Sequence, residues 1–179
     1  PTKNLGGCGD GGMIVTDDES LYQRLLRLRD CGRKSKYEHA VIGYNSRLDS
    51  LQAALLRLKL KKLDAWNKER QLAAACYDRE FKKAGLAVQL PVNAGYSSHV
   101  FHVYSIRLAK RDLVAAYLRE HGIGVMVNYP VPLHSQEAYA ADVAAQQACP
   151  VASRLCSEIL SLPMYPGITE KQIICVVKT

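Results

Sequence analysis

Five glycines and one lysine crowd the first twelve residues, Pro1-Thr2-Lys3-Asn4-Leu5-Gly6-Gly7-Cys8-Gly9-Asp10-Gly11-Gly12. Glycine has no Cβ, so a run of this density lets the backbone take positive φ and come close to a ligand or to another strand. A lysine at the rim of such a turn is, on the bland reading, a solvated side chain. On the sharper reading it is a nucleophile, which requires a desolvated amine that gives up its proton readily.

The residues that follow predict alternating short strands and helices. Met13-Ile14-Val15-Thr16 is a β-branched run that fits a buried strand, and Asp17-Asp18-Glu19-Ser20 supplies turn and helix-capping chemistry. A helix is expected from about Ser20 to Cys31, with Leu21, Leu25 and Leu28 on one stripe and Gly32 as its stop. Residues 33–44 are too polar and aperiodic for an element, and a loop this long is usually functional or braced by something else. From Leu48 to Ala84 the pattern is helical almost throughout and Gly85 ends it. As one rod it would be ~55 Å long at 1.5 Å per residue. A bend near Asp64-Ala65-Trp66-Asn67, or a helix bridging two domains, is therefore expected.

In the second half, Val88 to Pro91 and His99 to Leu108 read as strands. Lys110 to His121 reads as a helix closed by Gly122 and Gly124 to Tyr129 as the next strand, a β-α-β unit with helices on one face of the sheet. Two prolines keep Tyr129-Pro130-Val131-Pro132-Leu133-His134 out of a helix. Pro150 opens a helix to Ile159, Leu160 to Pro163 is a short strand, and Thr169 caps a last helix.

Twenty-four Lys and Arg against 17 Asp and Glu leave a net charge of +7, which suits an anionic partner. The basic residues are spread from Arg24 to Lys178. Their densest cluster, Arg57, Lys59, Lys61 and Lys62, falls on a helical pattern and reads as a solvated face, so nucleic acid is not the expected partner. No apolar run approaches the ~20 residues of a membrane span and no leader precedes the glycine run, so the expectation is a cytoplasmic protein without a membrane partner. Six cysteines form no C-x-x-C pair and no zinc spacing, and read as free thiols in a reducing compartment. His99 and His102, three apart on an expected strand, point to opposite faces, so no metal site is expected.

The glycine run followed by Met13-Ile14-Val15-Thr16-Asp17-Asp18 resembles the cofactor-lysine segment of the DegT/DnrJ/StrS family, aminotransferases that use pyridoxal 5'-phosphate (PLP) and act on sugar nucleotides. Four further blocks resemble the same family in the same order: Tyr37-Glu38-His39; Ile42 to Asp49 with Leu51-Gln52-Ala53-Ala54; Asn128 to His134; and Leu160 to Gly167. Together they cover nearly the whole chain. The resemblance implies an α/β, fold-type I PLP-dependent transferase. Residues 1–64 would be the end of the large domain with the start of a linking helix, and 65–179 the small C-terminal α/β domain.

The implied function is transfer of an amino group from an amino acid, glutamate in such a family, to a keto sugar nucleotide, which is also an anion. In the family the lysine matching Lys3 carries the cofactor. Lys3 also argues against a related dehydratase branch in which a histidine replaces it. Asn45 matches a residue that reaches the cofactor phosphate of the neighbouring subunit, implying a homodimer with shared sites. On its residues alone, Asn45 reads equally well as the cap of the long helix, whose N-terminus itself attracts phosphate. Arg47 beside it can pair with phosphate or with Asp49. Tyr129 and His134 lie in the block by the sugar site and are candidate substrate contacts, while Asn128 stands where members often have His. The family's remaining cofactor contacts lie upstream of the lysine, so the 179-residue chain alone is expected to be inactive. The alternative is a non-catalytic binding or regulatory domain that keeps the fold and the dimer surface.

Overall fold

The computed structural model describes residues 1–141 and 149–179. It divides into two compact units, Pro1–Asp64 and Ala65–Thr179.

In the first unit, α1 (Glu19–Arg29) starts where Asp18 accepts a hydrogen bond from the Leu21 N–H at 3.0 Å. That bond satisfies one of the donors a helix start leaves open, and it holds the Asp18 carboxyl below its ordinary pKa. The helix ends as the chain turns through Cys31 and Gly32, at φ 59° and 75°. The bend in the long helical pattern is a true interruption. α2 (Ser50–Leu60) and α3 (Leu63–Ala84) are separated at Lys61 and Lys62 rather than at Asp64 to Asn67. There the Lys62 N–H donates to the Lys59 carbonyl at 2.9 Å, a bond of the tighter three-residue kind.

Met13 to Thr16 do not form the expected buried strand. Met13, Ile14 and Val15 are 85%, 71% and 83% exposed. An extended run becomes a strand only when a neighbour takes its N–H and C=O groups, and among the described residues none pairs with it. Only two residues of this unit are buried, Gly6 and Gly32, and both have positive φ.

The second unit holds the apolar core. α3 contributes Ala73, Tyr77 and Phe81, one stripe at four-residue spacing, with Ala74 beside it. Against them pack Ala115 and Leu118 of α4 (Arg111–Glu120), Leu160 and Leu162 of β2 (Ile159–Leu162), and Ile173, Val176 and Val177 of α6 (Glu170–Lys178). The Tyr77 and Tyr104 rings, both fully buried, stack at 4.7 Å. Their hydroxyls donate to the Pro163 carbonyl at 2.9 Å and to the Asp78 carboxylate at 2.5 Å. α5 (Pro150–Glu158) opens on its proline, and α6 opens on a capping box between Thr169 and Gln172.

The sheet is smaller than expected. β1 (Tyr104–Arg107) is four residues and pairs antiparallel with β2. His99 to Val103 stay outside it, with Phe101 at φ 40°. Gln89 bridges to Arg107, and Met126 bridges to Ser161. The segment after α4 therefore returns beyond β2, parallel to β1 but not beside it, and the β-α-β unit is split by β2. β2 is buried at Leu160, Ser161 and Leu162 in succession, whereas β1 alternates. The buried Arg70 of α3 donates through Nη1 to the carbonyls of Phe101, His102 and Met164 at 3.0–3.2 Å, replacing strand pairing in this irregular stretch. Burial pulls its pKa down.

Burial is the first cause that pushes both core phenols well above their ordinary value of 10.0, and the Asp78 carboxylate adds to it at Tyr104. Unfolded tyrosines lose their protons first, so stability is fully present below pH ~10 and falls as pH rises further. Tyr104→Phe is expected to cost roughly 1.5–3 kcal/mol at pH 8, the worth of a hydrogen bond to a charged group. It should also flatten the alkaline loss. Urea melts at pH 8, 10 and 11 measure both, and an equal alkaline slope in wild type and variant would contradict the argument.

Candidate functional site

Lys3 stands with an exposed side chain on a turn closed by Gly6, whose φ is +45°. A Cβ at Gly6 would lie 2.1 Å from the Pro1 carbonyl oxygen and 2.9 Å from that of Lys3, so only glycine folds the chain back here. Among the described residues the Lys3 amine has no hydrogen-bond or ion-pair partner. The close approach that the glycines permit is to α2. Gln52 accepts the Cys8 N–H at 2.7 Å, and Lys59 Nζ donates to the Gly6 carbonyl. A Cβ at Gly7 would lie 2.9 Å from Gln52 Oε1, and one at Gly9 would lie 3.2 Å from Nε2. Lys59 is therefore half-buried and leaves the solvated basic face, whereas Arg57, Lys61 and Lys62 remain exposed.

Asn45 is placed by the end of α1. The last carbonyls of a helix lack intrahelical donors. Here Leu28 is satisfied by the Tyr44 N–H at 2.7 Å and Arg29 by the Ser46 N–H at 2.8 Å, while Cys31 donates to Tyr44 at 2.8 Å. The crossing is possible because Gly43 lies on Gly32, where a Cβ would sit 2.3 Å from the Gly32 nitrogen. Loop 33–44 is braced as well, with Arg33 bridging His39 and His39 Nδ1 2.9 Å from the Cys31 carbonyl.

Asn45 does not cap a helix. The cap position of α2 is Asp49, which makes no side-chain cap bond, and the helix end bonded to this segment is the C-terminus of α1. Asn45 Oδ1 accepts from Arg47 Nε at 3.3 Å, and Arg47 pairs with Asp30 at 3.5 Å rather than with Asp49. A cation beside a helix C-terminus is favourably placed. Asn45 and Arg47 line a groove of about 1070 Å³, together with the exposed run Met13 to Val15.

Tyr129 and His134 belong to the other unit, Ala65–Thr179. The chain from Tyr129 to Pro132 forms no regular element, and a short 3-10 turn, Leu133–Ser135, begins before the expected non-helical segment ends. Tyr129 is 68% exposed. His134 is half-buried, with Nε2 at 3.3 Å from the Ser153 hydroxyl. Neither lines the pocket of about 300 Å³ between α3 and the start of α6. His99 leaves the strand expected for it and takes the Phe101 N–H at 2.8 Å. Among the described residues no three His, Cys, Asp or Glu side chains gather into a metal-ligand set, and no helix is long and apolar enough to cross a membrane. All six cysteines are free thiols.

The chain matches the profile of the DegT/DnrJ/EryC1/StrS aminotransferase family over residues 1–179. It belongs to that family. A UDP-N-acetyl-3-dehydro-α-D-glucosamine 3-aminotransferase of Acidithiobacillus ferrooxidans is 47% identical over 97% of this chain and 46% of its own length. A pleiotropic regulatory protein of Geobacillus stearothermophilus is 47% identical over 96% of this chain and 46% of its own. The crystal structure of DesV from S. venezuelae superposes with a TM-score of 0.92 at 40% identity, covering 99% of this chain and 47% of DesV. The chain thus spans about half the length of the relatives it matches. The family is PLP-dependent, and structural neighbours have been solved in the pyridoxal and pyridoxamine phosphate forms.

Sequence reasoning picked out Lys3, and Asn45 with its neighbour Arg47, but not the contacts of Gln52 and Lys59 with the glycine run. Gln52 had a signal, as the lone amide among the leucines and alanines that open α2.

The Gly32–Gly43 crossing carries a direct test. Gly32→Ala places a Cβ 1.6 Å from the Val41 carbonyl oxygen, and positive-φ strain adds on the order of 1–3 kcal/mol. The segment holding Asn45 should detach from α1, and trypsin should cut between Arg33 and Lys36 several-fold faster than in wild type. An unchanged cleavage rate would contradict the crossing.

Proposed function

We propose that this chain is the C-terminal half of a PLP-dependent aminotransferase that moves an amino group from an amino acid, such as glutamate, to the keto group of a sugar nucleotide. Residues 1–64 act as the end of the large domain and 65–179 as the small domain. The observation that carries the reading is the Gly6 turn, which presents an unpaired Lys3 amine on backbone that no residue with a side chain could form.

The residues present fit the cofactor. Lys3 offers an amine without a competing carboxylate. Asn45 has its oxygen engaged by Arg47, which leaves its NH2 group to donate, and a donor suits a phosphate. Lys3 would hold the cofactor covalently and Asn45 would bind its phosphate, across the interface of a homodimer. Bound there, PLP supplies an electron sink that lets an amino group change carriers. Lys3 Nζ, released when the donor arrives, accepts and returns a proton. Tyr129 and His134 bind the sugar nucleotide, whose negative charge suits a chain of net charge +7.

A second reading, a regulatory protein on the same fold, draws on the relative of that name, which matches as well as the aminotransferase does.

In the full-length protein, borohydride should trap the cofactor on Lys3. Lys3→Ala should abolish both trapping and turnover. Lys3→Arg should fail too, because a guanidinium stays protonated. Asn45→Ala should keep trapping but weaken cofactor binding roughly 10-fold, the scale of one lost hydrogen bond. A Lys3→Ala protein that turns over normally would overturn the assignment. Full-length wild type that traps no cofactor would favour the regulatory reading.

A further inference from the structure

Gln52 and Lys59 lie seven residues apart on α2, two helical turns, and so share one face. Both are half-buried, and both spend their polar ends on the backbone of the glycine run. The run is shaped to receive them. The Gln52 amide lies where Cβ atoms at Gly7 and Gly9 would crowd it, at 2.9 and 3.2 Å. Lys59 holds the carbonyl of Gly6, the residue that folds back onto Pro1 and Lys3. A charged donor on a carbonyl makes the stronger kind of hydrogen bond. The two contacts thus bracket Gly7 and fix the backbone that carries Lys3 to a rigid helix.

We infer that Gln52 and Lys59 are positioning residues for Lys3, clamping the glycine run so that the Lys3 amine keeps one location through each exchange of its covalent partner. The inference rests on the reading of Lys3 as the cofactor anchor. Neither residue is a proton donor or acceptor for the substrate. What they supply is a fixed backbone, because a small displacement of a reacting group costs rate out of proportion to its size.

The test uses the full-length protein, with Gln52→Leu, which removes the acceptor, Gln52→Glu, which restores one, and Lys59→Met. Three readouts are taken: hydrogen exchange at the Cys8 amide, PLP concentration dependence of borohydride trapping on Lys3, and the melting temperature without cofactor. Gln52→Leu should speed Cys8 exchange and weaken trapping about tenfold with little change in melting temperature, and Gln52→Glu should restore both. Lys59→Met should weaken trapping similarly, and it decides the matter if Gln52→Leu does not fold. Faster exchange with unchanged trapping would overturn the positioning role. So would weaker trapping that follows a fall in melting temperature and is not restored by Gln52→Glu. Failure of the anchor reading itself shows separately, as trapping that survives Lys3→Ala.

Discussion

The first unit depends on the absence of side chains. Its helices α1 and α2 bury no residue at all, so no apolar core draws the segment together. What replaces it is backbone meeting backbone, or backbone meeting a polar side chain, at Gly6, Gly7, Gly32 and Gly43. Hydrogen bonds formed this way are individually modest, but a buried group left unpaired costs ~1–3 kcal/mol, so each closed contact protects the next. A fold held like this is specified atom by atom. A core tolerates exchanges of similar volume, whereas a carbonyl 1.6 Å from where a Cβ would sit tolerates nothing.

This explains which parts were legible in advance. Helices announced by their own ends were readable: Asp18 before α1, Pro150 opening α5, and Thr169 with Gln172 at α6 each carry their cap within a few residues. Strands were not. Whether Met13 to Thr16, His99 to Val103 or Gly124 to Val127 becomes a strand is decided by a neighbour far away in the chain, and a period-two pattern says nothing of it. At the candidate site the same division holds. Lys3 and Asn45 stand in blocks that can be recognised. Gln52 reaches the glycine run across 44 residues, and the contact of Arg47 with Asp30 across a loop has no local signature.

The second unit solves the opposite problem. Its core is ordinary and apolar, but the stretches just before β1 and just after β2 form no regular element. A single guanidinium ties the carbonyls of Phe101, His102 and Met164 together from α3.

The exposed run Met13 to Val15 also bears on how the molecule behaves as a colloid. Three large apolar residues in a row, on extended backbone whose donors and acceptors are open, form a template to which other chains adhere. A net charge of +7 keeps copies apart at low ionic strength, and added salt screens that repulsion while leaving the adhesive run untouched. Solubility of the isolated chain is therefore expected to fall with salt, with Met13 to Val15 among the exposed apolar residues that drive it.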